Sequence, residues 1–175
     1  PHWYFHKLSN QYTNYKIKSL DPDLLIDSIL PTDKIVGSVV YPACEIVEPG
    51  KIKHINGNRF SLGEPDGRET DRLKFISEIL KKAGFRAPIQ KNIRDEIWLK
   101  LIGNLSFNPI SALTGATLEQ ICNNLGTETI VREMMNEAKL IAEKLGAKIN
   151  MSIEKRIDGA RKVGAHKTSM LQDIE

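Results

Sequence analysis

Asp95-Glu-Ile-Trp-Leu-Lys-Leu-Ile-Gly-Asn-Leu-Ser-Phe-Asn108 separates two textures of the chain. From Asn92 onward the pattern is helical throughout; before it, strand and helix signals alternate. Within the stretch, Lys100, Asn104 and Asn108 recur every fourth residue. At about 100° per residue they form one ladder covering about 80° of a helix surface. Ile97 projects within the ladder, Leu101 and Leu105 continue from it, and Trp98 and Ile102 complete an apolar arc. A cation and two amides beside a core-facing arc are partly desolvated, which is costly for polar groups that find no partner. The ladder is therefore the best candidate in the chain for a ligand-facing surface. The competing reading is plain solvation, the usual state of Lys and Asn on helices. Pro109, lacking the N–H a helix interior needs, predicts a bend or break at the ladder's end.

Downstream, Thr117-Leu-Glu-Gln120 is a capping box that starts a short helix. Glu128 to Leu145 is long and amphipathic, with Ile130, Val131, Met134, Met135, Ala138, Ile141, Ala142 and Leu145 as its stripe and Gly146 as its stop. Ser152 to Val163 is a weaker helix interrupted by Gly159. Ser169 and Gln172 satisfy a capping box, so a last helix is expected to begin at Ser169 and to be cut off at Glu175.

Upstream, the β-branched run in Ile35-Val-Gly-Ser-Val-Val-Tyr-Pro-Ala43 predicts a buried strand. Glu45 to Glu48 and Lys51 to His54 flank the turn signal Pro49-Gly50, and Asn56-Gly-Asn58 precedes Arg59-Phe-Ser-Leu62. Together they predict a short β-meander. Thr70 to Ala83 is an amphipathic helix with Leu73, Ile76, Ile79, Leu80 and Ala83 on one face and Gly84 as its stop. Phe85 to Ile89, containing Pro88, suits an edge strand or linker. The change of texture sets a domain boundary near residues 85 to 92, giving 1–91 and 92–175.

The chain has 175 residues, 41% hydrophobic and 27% charged, enough to bury a core. A net charge of +3, with acids and bases interspersed, excludes a nucleic-acid footprint. No run approaches a membrane-spanning helix. Pro1-His-Trp-Tyr-Phe is neither a signal nor a transit peptide, and without an initiator Met the chain is expected to be a fragment. Cys44 and Cys122 stand apart from any Cys/His cluster, and His2, His6, His54 and His166 show no ligand spacing, so no metal site is expected. Such cysteines suit idle thiols in a reducing cytosol. There is no G-x-G-x-x-G, no P-loop and no G-x-S-x-G.

Seven stretches occur in an order that resembles the ketopantoate reductases (2-dehydropantoate 2-reductases). They are Pro1-His-Trp-Tyr-Phe-His-Lys-Leu8, Gly37-Ser-Val-Val-Tyr-Pro-Ala43, Leu62-Gly-Glu-Pro-Asp-Gly67, Ile93-Arg-Asp-Glu-Ile-Trp-Leu-Lys100, Asn104, Asn108-Pro109 and Ser169-Met-Leu-Gln-Asp173. The ladder and the Ser-Met-Leu-Gln-Asp segment are the most specific. The resemblance implies an α/β plus all-α chain. Its first part would be the C-terminal part of an NADP-binding Rossmann-type domain. Its second would be a helical, 6-phosphogluconate-dehydrogenase-like substrate domain, both truncated. It also implies an oxidoreductase of pantothenate and coenzyme A biosynthesis, cytoplasmic, that uses NADPH to reduce ketopantoate to pantoate. Lys100 would be the general acid, Asn104, Asn108 and Ser169 substrate binders, and Ala43 would lie against the cofactor. An ammonium near the carbonyl suits the chemistry, because hydride addition creates an alkoxide that needs charge stabilisation and a proton.

The chain also departs from the family. The glycine-rich loop and a cofactor-touching asparagine would lie before Pro1, and a family glutamate would lie after Glu175. Leu118 stands near a position where some relatives carry a substrate-contacting asparagine. The fragment alone is thus expected to be inactive. Two other readings stay open: a related reductase of another 2-oxo acid, and a non-catalytic dimerisation module built on the helical half. No nucleic-acid or membrane partner is expected, and a homodimer is compatible with the pattern.

Overall fold

The run around Val39 forms β1 (Gly37–Val40), which pairs antiparallel with β4 (Phe60–Gly63), from Gly37 opposite Gly63 to Val40 opposite Phe60. In this computed structural model, which describes residues 1–175, β1 is half-buried and not enclosed on both faces. Val39 is buried and Val40 exposed, as the two-residue period of a strand with one covered face requires. β2 (Ala43–Glu48) and β3 (Lys51–Asn56) make a separate hairpin turning at Gly50, whose φ of 77° suits glycine. The expected meander therefore splits into two pairs. β2 and β3 are almost wholly exposed, whereas Ser61, Leu62 and Gly63 of β4 are buried and pair with the covered strand.

Residues 85–89 join the other edge of β4 in parallel. Phe60 N–H donates to the Arg86 carbonyl, and Leu62 N–H to that of Pro88. Pro88 needs only to accept there, so its missing N–H is harmless. α2 (Asp71–Lys82) is capped by Thr70, whose hydroxyl accepts from Leu73 N–H, and ends before Gly84. Leu73 is buried with Leu62 and Ala87, and Ser77 Oγ donates to the Ala87 carbonyl. Ile79, assigned to the buried stripe by its spacing, is exposed. Before β1, α1 (Leu25–Ile29) is a single short helix. The Arg94 guanidinium holds the N-terminal segment, donating to the carbonyls of Tyr4, His6 and Pro65 and stacking over Trp3 and Tyr4.

The chain divides into two units, Pro1–Glu96 and Ile97–Glu175. α3 (Ile93–Thr114) begins in the first and continues in the second. It runs through Pro109 without the expected break. A proline removes one donor, here the partner of the Leu105 carbonyl, and the remaining turns carry the helix on. The second unit then consists of α4 (Leu118–Asn123), α5 (Leu125–Lys144), α6 (Ile153–Val163) and α7 (Ser169–Ile174). The Thr117–Gln120 capping box forms as read from the sequence. α5 starts earlier than Glu128, because the Asn124 side chain caps it by accepting from the N–H groups of Gly126 and Thr127. Its buried stripe is Val131, Met135, Ala138 and Ala142; Ile130 and Ile141 are exposed. α6 passes Gly159 uninterrupted, with Ser152 as its cap. α3 to α6 enclose a core of Ile102, Phe107, Ile121, Cys122, Val131, Met135, Ala138 and Ile157. No helix is long and apolar enough to cross a membrane.

Candidate functional site

Because α3 is continuous, Lys100, Asn104 and Asn108 lie on one face, successive members about 40° apart. Lys100 and Asn108 are half-buried and Asn104 is exposed. The expected apolar arc is against the core at Ile102, and a second flank that the sequence did not suggest is buried as well. Gly103, Ser106, Phe107 and Ser111 are buried, while Leu101 is 40% exposed. On the helix wheel, Phe107 and Ser111 each project within about 20° of Lys100. The ladder thus leaves the core along the Phe107–Ser111 edge and ends at exposed Leu101. Leu105 and Trp98 pack partly against the core as expected.

Burial is what perturbs Lys100, lowering its pKa from the ordinary lysine value. Desolvation disfavours the charged form, and a lysine so placed releases its proton more readily than one in water. This gives the ladder one member with acid–base character and two neutral amides one and two turns away.

The other predicted site residues lie elsewhere in the chain. Ser169 is the first residue of α7 and exposed. It is not the cap: Thr168 is, its hydroxyl accepting from Leu171 N–H. The cap therefore lies one residue earlier than expected and no capping box forms, since N3 is Leu171 and Gln172 donates instead to the Lys167 carbonyl. This leaves the Ser169 hydroxyl free of the capping role. Ala43 is the first residue of β2, half-buried, in the first unit. Leu118 packs against the helical core.

Two arrangements escaped the sequence reading. Glu96, one turn before Lys100, collects three donors: Arg59 Nη2 at 2.8 Å, Tyr41 Oη at 2.9 Å and Ser61 Oγ at 3.0 Å. Arg59 Nε also donates to Ser61 Oγ at 2.9 Å, and its guanidinium lies 5.2 Å from the Tyr41 ring centre. No spacing could have revealed this set, since its members lie 35 to 55 residues from Glu96. The second is a shallow depression lined by Leu99, Ile102, Lys139, Ile149, Met151, Ser152, Ile153 and Arg156. Leu99 and Ile102 project away from the ladder, so this depression is not the ladder's face.

The comparisons with known proteins bear on both units. Residues 92–175 match the family described as "Ketopantoate reductase PanE/ApbA C terminal". All 175 residues align at 49% identity with 54% of the 2-dehydropantoate 2-reductase of Mesorhizobium japonicum, so the chain spans about half that relative's length. Among solved structures, a candidate ketopantoate reductase from Ralstonia solanacearum MolK2 superposes with a TM-score of 0.92 at 38% identity, over 98% of this chain and 53% of that one. D-mandelate dehydrogenase, solved with NADH, shares the fold at 18% identity and a TM-score of 0.74 over 86% of this chain and 52% of that one. The mixed first part and helical second part are thus those of a Rossmann-plus-helical architecture. Ladder, fold and alignment agree: residues 92–175 match the C-terminal domain of the ketopantoate reductases, and the whole chain is similar to about half the length of such proteins.

Proposed function

We propose that the protein reduces ketopantoate to pantoate with NADPH, and that Lys100 is the proton donor. The observation that carries this reading is the half-buried Lys100 whose pKa burial lowers, set on one helix face with two amides. The donor set fits a hydride-transferring cofactor, because a carbonyl that accepts hydride at carbon needs an acid at oxygen. A bound reduced dinucleotide would supply the hydride. As negative charge develops on the carbonyl oxygen, the Lys100 Nζ would give that oxygen its proton. The residual ammonium charge stabilises the developing alkoxide before transfer. Lys100 is left neutral and takes a new proton from solvent. Asn104 and Asn108, one and two turns along, hold the substrate's hydroxyl and carboxylate end as neutral hydrogen-bonding amides. Ser169, free of the capping role, is a further substrate contact. Ala43, half-buried at the start of β2, would lie against the cofactor, its small side chain permitting close approach.

The same reading sets the domains at 1–91, dinucleotide-binding, and 92–175, substrate-binding. It takes the reaction to the cytoplasm, where exposed Cys44 would stay reduced. It also allows a homodimer, for which exposed Leu140 and Ile141 on α5 offer apolar surface. The test is steady-state kinetics of the full-length protein on ketopantoate and on other branched and aromatic 2-oxo acids. A kcat/KM highest for ketopantoate supports the proposal. One no better than for the others makes it a reductase of a different 2-oxo acid.

A further inference from the structure

We propose that Glu96 is a positioning residue, which with Arg59, Ser61 and Tyr41 fixes the rotation of α3 about its own axis and so the direction in which Lys100 points. This rests on the reading of Lys100 as the proton donor. Glu96 is in the first turn of α3, and Lys100 is one turn further on the same uninterrupted helix. The Glu96 carboxylate is mostly shielded, its side chain 12% exposed, and both oxygens are engaged. Its donors come from one structural block: Arg59 and Ser61 lie on or beside β4, and Tyr41 follows β1, to which β4 is paired. Ser61 is wholly buried, so this end of the network cannot drift. Arg59 is itself oriented by its bond to Ser61 and its stacking on Tyr41.

Such a clamp constrains rotation more than translation. Three donors converge on one carboxylate from strand and loop, whereas the turn's own backbone bonds run along the helix axis and resist rotation little. Side-chain tips stand about 5–6 Å from a helix axis, so turning the helix by about 10° moves a tip sideways by about 1 Å. A misplacement of about 1 Å at a reacting centre can lower the rate about a hundredfold.

The test uses the full-length protein and two readouts. The first is kcat and KM on ketopantoate. The second is the rate at which an amine-acylating reagent labels Lys100, read by peptide mass spectrometry with Lys139 as internal reference; it does not depend on turnover. Glu96→Ala is expected to lower kcat about 10- to 100-fold with KM within about threefold. It should also change Lys100 labelling at least about threefold relative to Lys139. Glu96→Gln, which keeps the length and an accepting oxygen, is expected to recover most of both. If Glu96→Ala does not fold, Tyr41→Phe and Ser61→Ala remove one donor each and are expected to lower kcat about two- to fivefold. Wild-type kcat and labelling in folded Glu96→Ala, or in both single-donor variants, would overturn the proposal even if stability fell. If the wild-type protein does not reduce ketopantoate, the functional reading fails, and labelling alone decides the role of Glu96.

Discussion

Alanine at Gly63 and alanine at Gly159 are the same chemical change with opposite expected outcomes. At Gly63, the end of β4, a Cβ would lie 2.7 Å from the Cβ of Ile93 and 3.0 Å from the Gln90 carbonyl oxygen. Neither neighbour can swing aside. A Cβ is fixed to its backbone, and Ile93 is wholly buried in the first turn of α3. Overpacking of this kind costs about 1–3 kcal/mol, towards the upper end when the partners are rigid. Replacing glycine recovers about 0.5–1 kcal/mol through the unfolded state. The net expectation for Gly63→Ala is a loss of about 2 kcal/mol. At Gly159, exposed within α6, a Cβ meets nothing within 4 Å, so Gly159→Ala should gain about 0.8–1 kcal/mol from helix propensity alone. The chain has two tryptophans, one in each unit, so a Trp98→Phe background leaves Trp3 to report on the first unit. Urea unfolding followed by Trp3 fluorescence measures Gly63→Ala; circular dichroism follows Gly159→Ala. A Gly63→Ala protein as stable as its parent would refute the close packing of β4 on the start of α3.

Two pH-linked effects follow from the packing of charged side chains. Arg72 donates to both oxygens of Glu64, whose side chain is 3% exposed, and holds its carboxyl below the usual carboxylate range. That stabilisation is present above the unfolded value of about 4.3 and is lost as pH falls through the depressed folded value. Arg72→Met should therefore cost about 2 kcal/mol at neutral pH, below the range for a fully buried pair because Arg72 is partly exposed, and the deficit should shrink in acid, as read by urea midpoints. Lys100 gives the same direction with pH, but its charged form is a penalty and not a gain. With its folded pKa lowered, the unfolded chain binds more protons, so stability rises with pH between the folded value and about 10.4. Lys100→Met should be the more stable protein at neutral pH, with an advantage that fades over that interval. If Lys100 is the proton donor as proposed, kcat of the full-length protein should fall as pH rises through the same lowered pKa, because the donor must carry its proton.

What the sequence made legible was local. Thr70, Thr117 and Ser152 cap the helices where the spacing of polar and apolar residues set their starts. The ladder needed only the period of a helix. Features set by distant partners were not legible. β4 pairs with β1 and not with its neighbour β3, because burial and not adjacency chose the partner. Arg94 reaches carbonyls 88 and 90 residues away, and no periodic signal marks an arginine for that task. The one-residue error at Ser169 has a similar origin, since Thr168 and Ser169 are both good caps and the burial of Thr168 decided between them. The second buried flank of the ladder was not legible because Gly103, Ser106 and Ser111, small and in part polar, do not look like core residues although α3 buries them. Ser106 and Ser111 satisfy their hydroxyls on backbone carbonyls, which allows this.

Whether Lys100 delivers the proton is read most directly from kcat of the full-length protein carrying Lys100→Ala, with ketopantoate and NADPH both saturating. Loss of a general acid predicts a fall of about 10²- to 10⁴-fold, with much smaller changes in KM. A Lys100→Ala protein that keeps its kcat would contradict the claim and leave the ladder as a solvated helix face.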